Sequence, residues 1–209
     1  SNNANDNVTV SDTGVLDADL LQQVNALTTG LVTVSGTVTG LTGSAANVAG
    51  LFADKGTAGN KVVFTDNPVV TITDTATTAA ADLVAINTAT TGLVTVTGST
   101  TITGSEADVK SVLDAGNAAT PTIAGVTDNA VTITATDAVA LADLDDFTAQ
   151  TTGVVTATVT GNDIAALLAA TSTKLKPGTT TNALSFSITN KATATSIPAA
   201  DFITLSGLT

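Results

Sequence analysis

The sequence contains no cysteine, histidine, arginine, methionine, tryptophan or tyrosine, and only 2% of its residues are aromatic. Without cysteine and histidine the chain cannot build Cys/His zinc sites, haem or iron–sulfur ligation, disulfides or a histidine general base. Without arginine and with few aromatic rings it lacks the usual groups that clamp phosphates and stack on bases. A formal net charge of −12 also disfavours binding to nucleic acid. We therefore expect no nucleic-acid partner, no cofactor and no enzymatic activity.

The 209 residues are 43% hydrophobic, and the mean hydropathy is +0.39, which favours a packed body over disorder. The longest apolar helix-like stretch, residues 164–170, is far shorter than the ~20 residues of a membrane span, so no membrane insertion is expected. Threonine supplies 45 residues and aspartate 17 of the 18 acids. This surface of short polar side chains, together with the lack of cysteine, predicts an extracellular or cell-surface location.

A motif recurs along the chain: Ala-Asp-Leu, followed by Thr-Thr-Gly-Leu-Val-Thr-Val or a close variant. Its aspartates are spaced by 63, 61 and 58 residues. Such self-similarity is typical of repeat architectures. The aspartates are Asp19, Asp82, Asp143 and Asp201. We divide the chain into a flexible segment 1–6, repeats 7–60, 61–128 and 129–182, and a partial repeat 183–209, all within one continuous repeat domain.

A second motif, Thr-Gly-Ser-x-Ala-x-Val, occurs at 42–48 and 103–109, with a weaker form at 160–164. The two motifs predict two helices in each repeat, with Ser44, Ser105 and Asn162 as N-caps. Gly56 and Gly116 are expected to end two of these helices in a left-handed conformation. Runs that alternate apolar residues with threonine or serine predict strands with one buried face. They lie at 8–11, 70–73, 131–134 and 184–189, and within the Thr-Gly-Leu-Val-Thr-Val stretches.

Alternating strands and helices predict an α/β fold with parallel strands. One arrangement is a solenoid-like stack of strand–helix coils, and the alternative is a row of small α/β beads of about 60 residues. The stack is favoured because a bead with so few large apolar residues would bury too little surface to offset its chain entropy.

The repeated motifs, clearest between Ala81 and Gly116, resemble the Thr/Asp-rich tandem repeats of about 60 residues in large secreted cell-surface proteins of cyanobacteria and other marine bacteria. The likeness extends over most of the chain, although residues 158–174 depart from the pattern. It implies an exported surface, adhesive or matrix protein, and it brings no catalytic residues.

Repeat arrays that exist as monomers carry polar caps over their first and last coils, and this sequence has neither. The first alternating run starts at Asn7, and the last Ala-Asp-Leu-like motif is not followed by its usual strand. We expect the chain to be a subunit or segment of an extracellular filament, joined to copies of itself head-to-tail by strand addition. The alternative is a passive spacer segment of a giant adhesin. The predicted assembly residues are Val8, Thr9, Val10 and Ser11 at one end, and Phe202, Leu205 and Leu208 at the other.

Three other activities are weaker interpretations. Asp143, Asp145 and Asp146 form the closest acidic cluster and are calcium candidates, although no calcium-loop motif surrounds them. Rows of Thr-x-Thr could offer a hydroxyl array to ice, but threonine is also a common residue of exposed strands. For an enzyme, Glu106 is the only glutamate, and an i,i+4 ion pair with Lys110 accounts for it. No surface polysaccharide ligand can be identified from the sequence.

Overall fold

The computed structural model describes residues 5–55, 62–64, 67–133, 137–162 and 182–188. Within these residues the protein is a mixed α/β structure in which all paired strands are parallel. The helices are α1 (Ala18–Leu27), α2 (Ala45–Lys55), α3 (Ala80–Ala89), α4 (Glu106–Asn117) and α5 (Asp145–Thr148). The first seven strands are β1 (Val8–Val10), β2 (Gly14–Asp17), β3 (Val32–Val34), β4 (Val38–Gly43), β5 (Val62–Val63), β6 (Val69–Ile72) and β7 (Thr77–Ala79). The others are β8 (Val94–Val96), β9 (Thr101–Gly104), β10 (Ile123–Ala124), β11 (Ala130–Ile133), β12 (Val139–Ala140), β13 (Val155–Asn162) and β14 (Ala183–Ile188).

Each helix follows two or three strands, and we call each such group a unit. Units 1, 3 and 5 end in α1, α3 and α5 and are called odd units. Units 2 and 4 end in α2 and α4 and are called even units. Each of the repeats 7–60 and 61–128 therefore contains one odd and one even unit, and the second also contains β10, the first strand of unit 5.

The strands form three sheets, with orders β1-β3-β5, β2-β4-β6-β8-β10 and β7-β9-β11-β13, and both β12 and β14 also pair with β13. Pairing from an odd unit to the next even unit advances the chain by 24 residues, as from Val8 to Val32. Pairing from an even unit to the next odd unit advances it by about 30, as from Val32 to Val62. Helices α1 to α5 also pack on one another in chain order.

In the predicted strands whose side chains are described, residues of lower and higher exposure alternate as predicted. In β3, Val32 and Val34 are buried while Thr33 is half-buried, and β8 repeats this pattern. The buried faces meet the helices in a core made mostly of valine, isoleucine, leucine and alanine. Because these side chains are small, sheet and helices must lie close together to fill the interior.

The two predicted helices are present in each of the first two repeats, but their ends differ in part from expectation. Ser105 is the N-cap of α4, and its Oγ accepts the amide of Asp108 at 3.2 Å. The prediction for Gly116 is wrong: α4 continues through it to Asn117, and its φ is not positive. Glycine is needed at position 116 for close packing, since a Cβ there would lie 2.5 Å from a methyl group of Val126. Gly56 and the helix expected after Asn162 lie outside the described residues.

The structural repeat is one residue shorter than the Ala-Asp-Leu motif indicates. Helices α1 and α3 both have ten residues and begin 62 residues apart, whereas Asp19 and Asp82 are 63 apart. As a result Leu83 is fully buried and Leu20 is 58% exposed. In the third repeat the helix near Asp143 is α5, which has only four residues.

Candidate assembly interface

The Thr-Thr-Gly motif fastens each even unit, and the start of β13, to the odd unit before it. The first threonine donates its hydroxyl to a main-chain carbonyl of the preceding unit and accepts the amide of the motif's glycine. Thr90 Oγ1 lies 2.8 Å from Pro68 O and 3.0 Å from Gly92 N. The same two bonds occur from Thr28 to Asp6 and Gly30, and from Thr151 to Asn129 and Gly153.

The motif needs glycine because its backbone lies so close to the backbone of the preceding unit that there is no room for a Cβ atom. A Cβ at Gly92 would collide with the carbonyl oxygen of Pro68, and Cβ atoms at Gly30 and Gly153 would collide with the equivalent carbonyls. The three φ angles are not positive, so conformational freedom is not the reason. We call this arrangement of threonine, glycine and carbonyl the threonine clasp.

A different contact joins each even unit to the odd unit after it. The carboxylate of Asp74, in the loop between β6 and β7, accepts the first amide of α2, at 3.3 Å from Ala45 N. It also accepts the Thr78 hydroxyl at 3.0 Å. Asp137 accepts the first amide of α4 in the same way, at 2.6 Å from Glu106 N. An acid at this position satisfies a free helix amide and interacts favourably with the helix dipole.

Unit 1 is also fixed to unit 2 through Asp19 at the start of α1. Its Oδ1 accepts the Ser44 amide at 3.1 Å, the Ser44 hydroxyl at 2.8 Å and the Asn47 side-chain amide at 2.7 Å. The hydrogen bond from Asn47, with those from Ser44, lowers the pKa of Asp19 despite partial burial. Ser44, predicted as an N-cap, thus donates its hydroxyl to a carboxylate of the neighbouring unit.

The face of unit 1 that points away from unit 2 is only partly covered. Among the described strands β1 pairs with β3 alone, whereas the equivalent strand of unit 3, β6, pairs with both β4 and β8. Inward-facing residues of unit 1 are half-buried, while the residues 62 positions later in unit 3 are at most 1% exposed. These pairs are Val8 and Val70, Val10 and Ile72, and Val24 and Ile86.

A groove of about 530 Å³ opens on this face between β1, β2 and α1. Val15 and Leu20 line it, and they are 63% and 58% exposed. Val8 N and Val10 O bond to unit 2, so the peptide groups of Thr9 between them point to the other, open edge of β1. We call this surface, made of β1, β2 and the outer side of α1, the open face.

The predicted assembly residues Val8, Thr9, Val10 and Ser11 all lie at the open face. Val8 and Val10 are half-buried, and Thr9 and Ser11 are exposed. The second predicted group, Phe202, Leu205 and Leu208, lies outside the described residues. Sequence reasoning did not identify Val15, which belongs to no recurring motif. It also did not identify Leu20, because its motif equivalent, Leu83, is fully buried and the motif alone does not show that Leu20 is exposed.

The calcium candidates do not come together as a metal site. Asp146 lies 3.2 Å from Lys110 Nζ, and Asp145 and Asp146 are in the first turn of α5. The amide of Asp143 bonds to a main-chain carbonyl. Among the described residues, no group of three acids is placed to hold a metal ion. The ion pair predicted between Lys110 and Glu106 is also not the one formed. Lys110 instead pairs with Asp146 and with Asp114, which lies four residues after Lys110 on the same helix.

The acids around the start of α4 repel one another. Burial raises the pKa of Glu106, and the nearby carboxylates of Asp143, Asp137 and Asp146 raise it further. The hydrogen bond from Gln150, assisted by Lys110, lowers the pKa of Asp114 on the same helix. The ionised form of Glu106 is therefore disfavoured in the folded protein, and this residue lies at a junction between two units.

In the part of the chain that the structure describes, no helix combines the length and the apolar character needed to cross a bilayer. Comparisons with protein-family models, with curated proteins and with solved structures found no match to this chain.

Proposed function

We propose that this protein is a structural subunit or segment of an extracellular filament or matrix, and that it assembles head-to-tail with copies of itself. It has no catalytic role in this proposal. The composition supports it, since the sequence lacks histidine, cysteine and arginine and is rich in threonine and aspartate. The extracellular location follows from the same composition.

The proposal includes a solenoid as the architecture of the stack. Supporting this, strands pair with strands of adjacent units, and each helix packs on the next. Junctions alternate between the threonine clasp and the aspartate contact to a helix start. A chain built this way can lengthen by adding units without changing the internal ones.

The observation that carries the proposal is the open face. Val8 and Val10 are half-buried where Val70 and Ile72 are fully covered, and one edge of β1 is left unpaired among the described strands. Exposed parallel edges next to an apolar groove are templates for strand addition. A second copy that covers this face would bury Val15 and Leu20 and complete the pairing of β1.

Negative-stain electron microscopy of the purified full chain tests the proposal. We expect fibres, and we expect none after deletion of residues 1–12, which removes β1. Leu20→Asp should also suppress fibres because it places a charge in the groove. Leu93→Asp is the matched control: Leu93 is similarly exposed but lies in unit 4, away from the open face. A protein that stays monomeric at high concentration would reject the filament and favour the passive spacer.

A further inference from the structure

Two rows of side chains run across the outer surface of the sheet β2-β4-β6-β8-β10, which we call the central sheet. Both rows lie on its three middle strands, β4, β6 and β8, whose other surface carries core residues. Thr42, Thr71 and Thr95 form the first row, since they are paired in register. These threonines are half-buried, and within the described residues none of their hydroxyls has a hydrogen-bond partner in the protein.

The second row is apolar. Gly40 pairs with Val69, and Leu93 lies beside Val69 because the residues that follow them, Val70 and Val94, are paired. Val69 is 50% exposed and Leu93 is 43% exposed. We call the surface made of both rows the neutral face, because none of its residues is charged. They are Gly40, Thr42, Val69, Thr71, Leu93 and Thr95.

The repeat does not impose the apolar row. The residues equivalent to Leu93 in the first and third repeats are Leu31 and Val154, which follow the same Thr-Thr-Gly motif. By the register of the strands, Leu31 lies beside Asn7 and Val154 lies beside Ala130. Neither has a large apolar neighbour at the position of Val69. The pair of Val69 and Leu93 is thus particular to the central sheet and needs a reason beyond the fold.

The charge of the protein favours a second copy of the chain as the occupant of this surface. With a formal net charge of −12, most approaches between two copies bring carboxylates together. The neutral face has no charge, and the acid beside it in register, Asp17, accepts the Leu20 amide at the start of α1 at 3.0 Å. Two copies can therefore meet at the neutral face without placing acid against acid.

We infer that the neutral faces of two copies pack against each other about a two-fold axis that runs along β6. Rotation about this axis leaves β6 over β6 and places β4 of one copy over β8 of the other, so the contact is made by the same surface on both copies. Thr71 then faces Thr71, and Thr42 faces Thr95. Hydroxyls without a partner in one copy thereby meet hydroxyls of the other, and each can donate and accept.

The same axis matches the apolar row with itself. Val69 faces Val69, and Leu93, the largest side chain of the neutral face, faces Gly40, which has no side chain. At the edges of the central sheet the axis places β2 over β10, so that Asp17 lies over Ala124. The surface is therefore complementary to a second copy of itself in both shape and charge.

The contact is small for a single pair of molecules. Five strands about 4.8 Å apart span about 20 Å, and a contact two rows deep over this width is well below the ~800 Å² per partner of a stable interface. It becomes strong where many copies are joined in line, because each added copy repeats it. The inference thus rests on the proposed filament, and it pairs filaments side by side.

The first test uses full-length variants with one cysteine each, since the chain has none of its own. Concentrated Thr71→Cys is treated with a short bis-maleimide, and we expect crosslinked dimers because Thr71 lies on the axis. Thr42→Cys and Thr95→Cys should crosslink when mixed and not when treated separately. Thr33→Cys is the matched control, because Thr33 is also half-buried but lies on β3, in another sheet. It should give no dimer.

The second test is the width of the fibres in negative stain. We expect paired fibres from the unsubstituted chain and single fibres from Leu93→Asp, because pairing would bury the new charge. Adding Leu93→Asp to Thr71→Cys should lower the yield of crosslinked dimer about tenfold. Leu31→Asp is the control, since Leu31 has the same place in its motif but lies outside the central sheet. Its fibres should stay paired.

The outcomes separate this inference from the proposed function. If fibres form singly, if they pair equally well with Leu93→Asp, or if fibrous Thr71→Cys gives no dimer, the side-by-side contact is wrong and the filament stands. If Thr71→Cys gives dimers that Leu93→Asp suppresses, but no fibres form, the contact stands and the filament is wrong. If neither fibres nor dimers form, both are wrong.

Discussion

At the scale of single residues, the recurring motifs have inter-unit roles. The sequence shows that Thr-Thr-Gly repeats, but a repeat alone cannot show that the threonine bonds to a carbonyl 22 residues earlier. That partner is Asp6, Pro68 or Asn129, three different residue types, because only the main-chain carbonyl is used. Because any residue can supply a main-chain carbonyl, the residue that accepts this hydrogen bond cannot be recognised from the sequence. The capping role of Ser105, by contrast, was predictable because both groups lie within four residues.

The threonine clasp should contribute measurably to stability. Thr90→Val keeps the shape of the side chain but leaves Pro68 O and Gly92 N without their buried partner. We expect the free energy of unfolding to fall by about 1–3 kcal/mol, measured by urea denaturation. Thr91→Val changes the next residue, which is exposed, and should alter the free energy of unfolding little. Equal effects of the two substitutions would show that the clasp contributes no stability.

Two acids should give opposite dependences on pH. The folded-state pKa of Asp19 is lowered by its hydrogen bonds from Asn47 and Ser44, so Asp19 stabilises the fold above its unfolded value of about 3.9, and this is lost as pH falls through the folded value. The pKa of Glu106 is raised by burial and neighbouring acids, so its charge destabilises the fold at neutral pH, and acid relieves this.

We therefore expect Asp19→Asn to lower, and Glu106→Gln to raise, the free energy of unfolding at pH 7. Both differences from the unsubstituted protein should narrow as the pH approaches 3. Urea denaturation over pH 3–7 measures them. Differences of the same sign, or ones that do not vary with pH, would contradict the assigned environments.

At the scale of elements, sequence patterns found the strands that alternate valine with threonine and missed shorter or glycine-containing ones. Strand β4 reads Val-Thr-Gly-Leu-Thr-Gly, and glycine breaks its pattern. Its Gly40 is covered by Val15 and Val69 from the two neighbouring strands, so its environment is set by contacts distant in sequence. Ends of helices were also hard to predict where the capping group comes from another unit, as Asp74 does for α2.

Asp74→Ala should loosen the start of α2 although it lies about 29 residues away. We expect faster hydrogen–deuterium exchange in the first turn of α2 and a loss of about 1–2 kcal/mol in the free energy of unfolding. Asp17→Ala is the matched control, because Asp17 caps α1 within its own unit. It should speed exchange at α1 and leave α2 unaffected. Unchanged exchange in α2 after Asp74→Ala would refute the cross-unit cap.

At the scale of the whole molecule, the α/β class, the parallel strands and the two helices of each of the first two repeats were predictable, while the alternation of register between odd and even units was not. The 24- and 30-residue registers come from pairing across units, and the motifs recur only once per pair of units. The groove of the open face could not be predicted, because it depends on how β1, β2 and α1 pack together.

Stability should depend on the number of adjacent units. A fragment of residues 61–128 retains α3 and α4 but loses the neighbours that cover them. We expect circular dichroism to show little cooperative thermal unfolding for this fragment, and a clear transition for residues 7–128, which keep units 1 to 4. A fragment 61–128 that melts at the temperature of the longer one would contradict dependence on neighbours.

Parallel pairing throughout the described strands has a consequence for any polymer made from this chain. Its two tips would be chemically different, so growth would have a direction, and material at one tip would be older than at the other. A molecule able to dock through only one of its ends would then act as a chain terminator. Small amounts of such a molecule would shorten the polymer without changing its diameter.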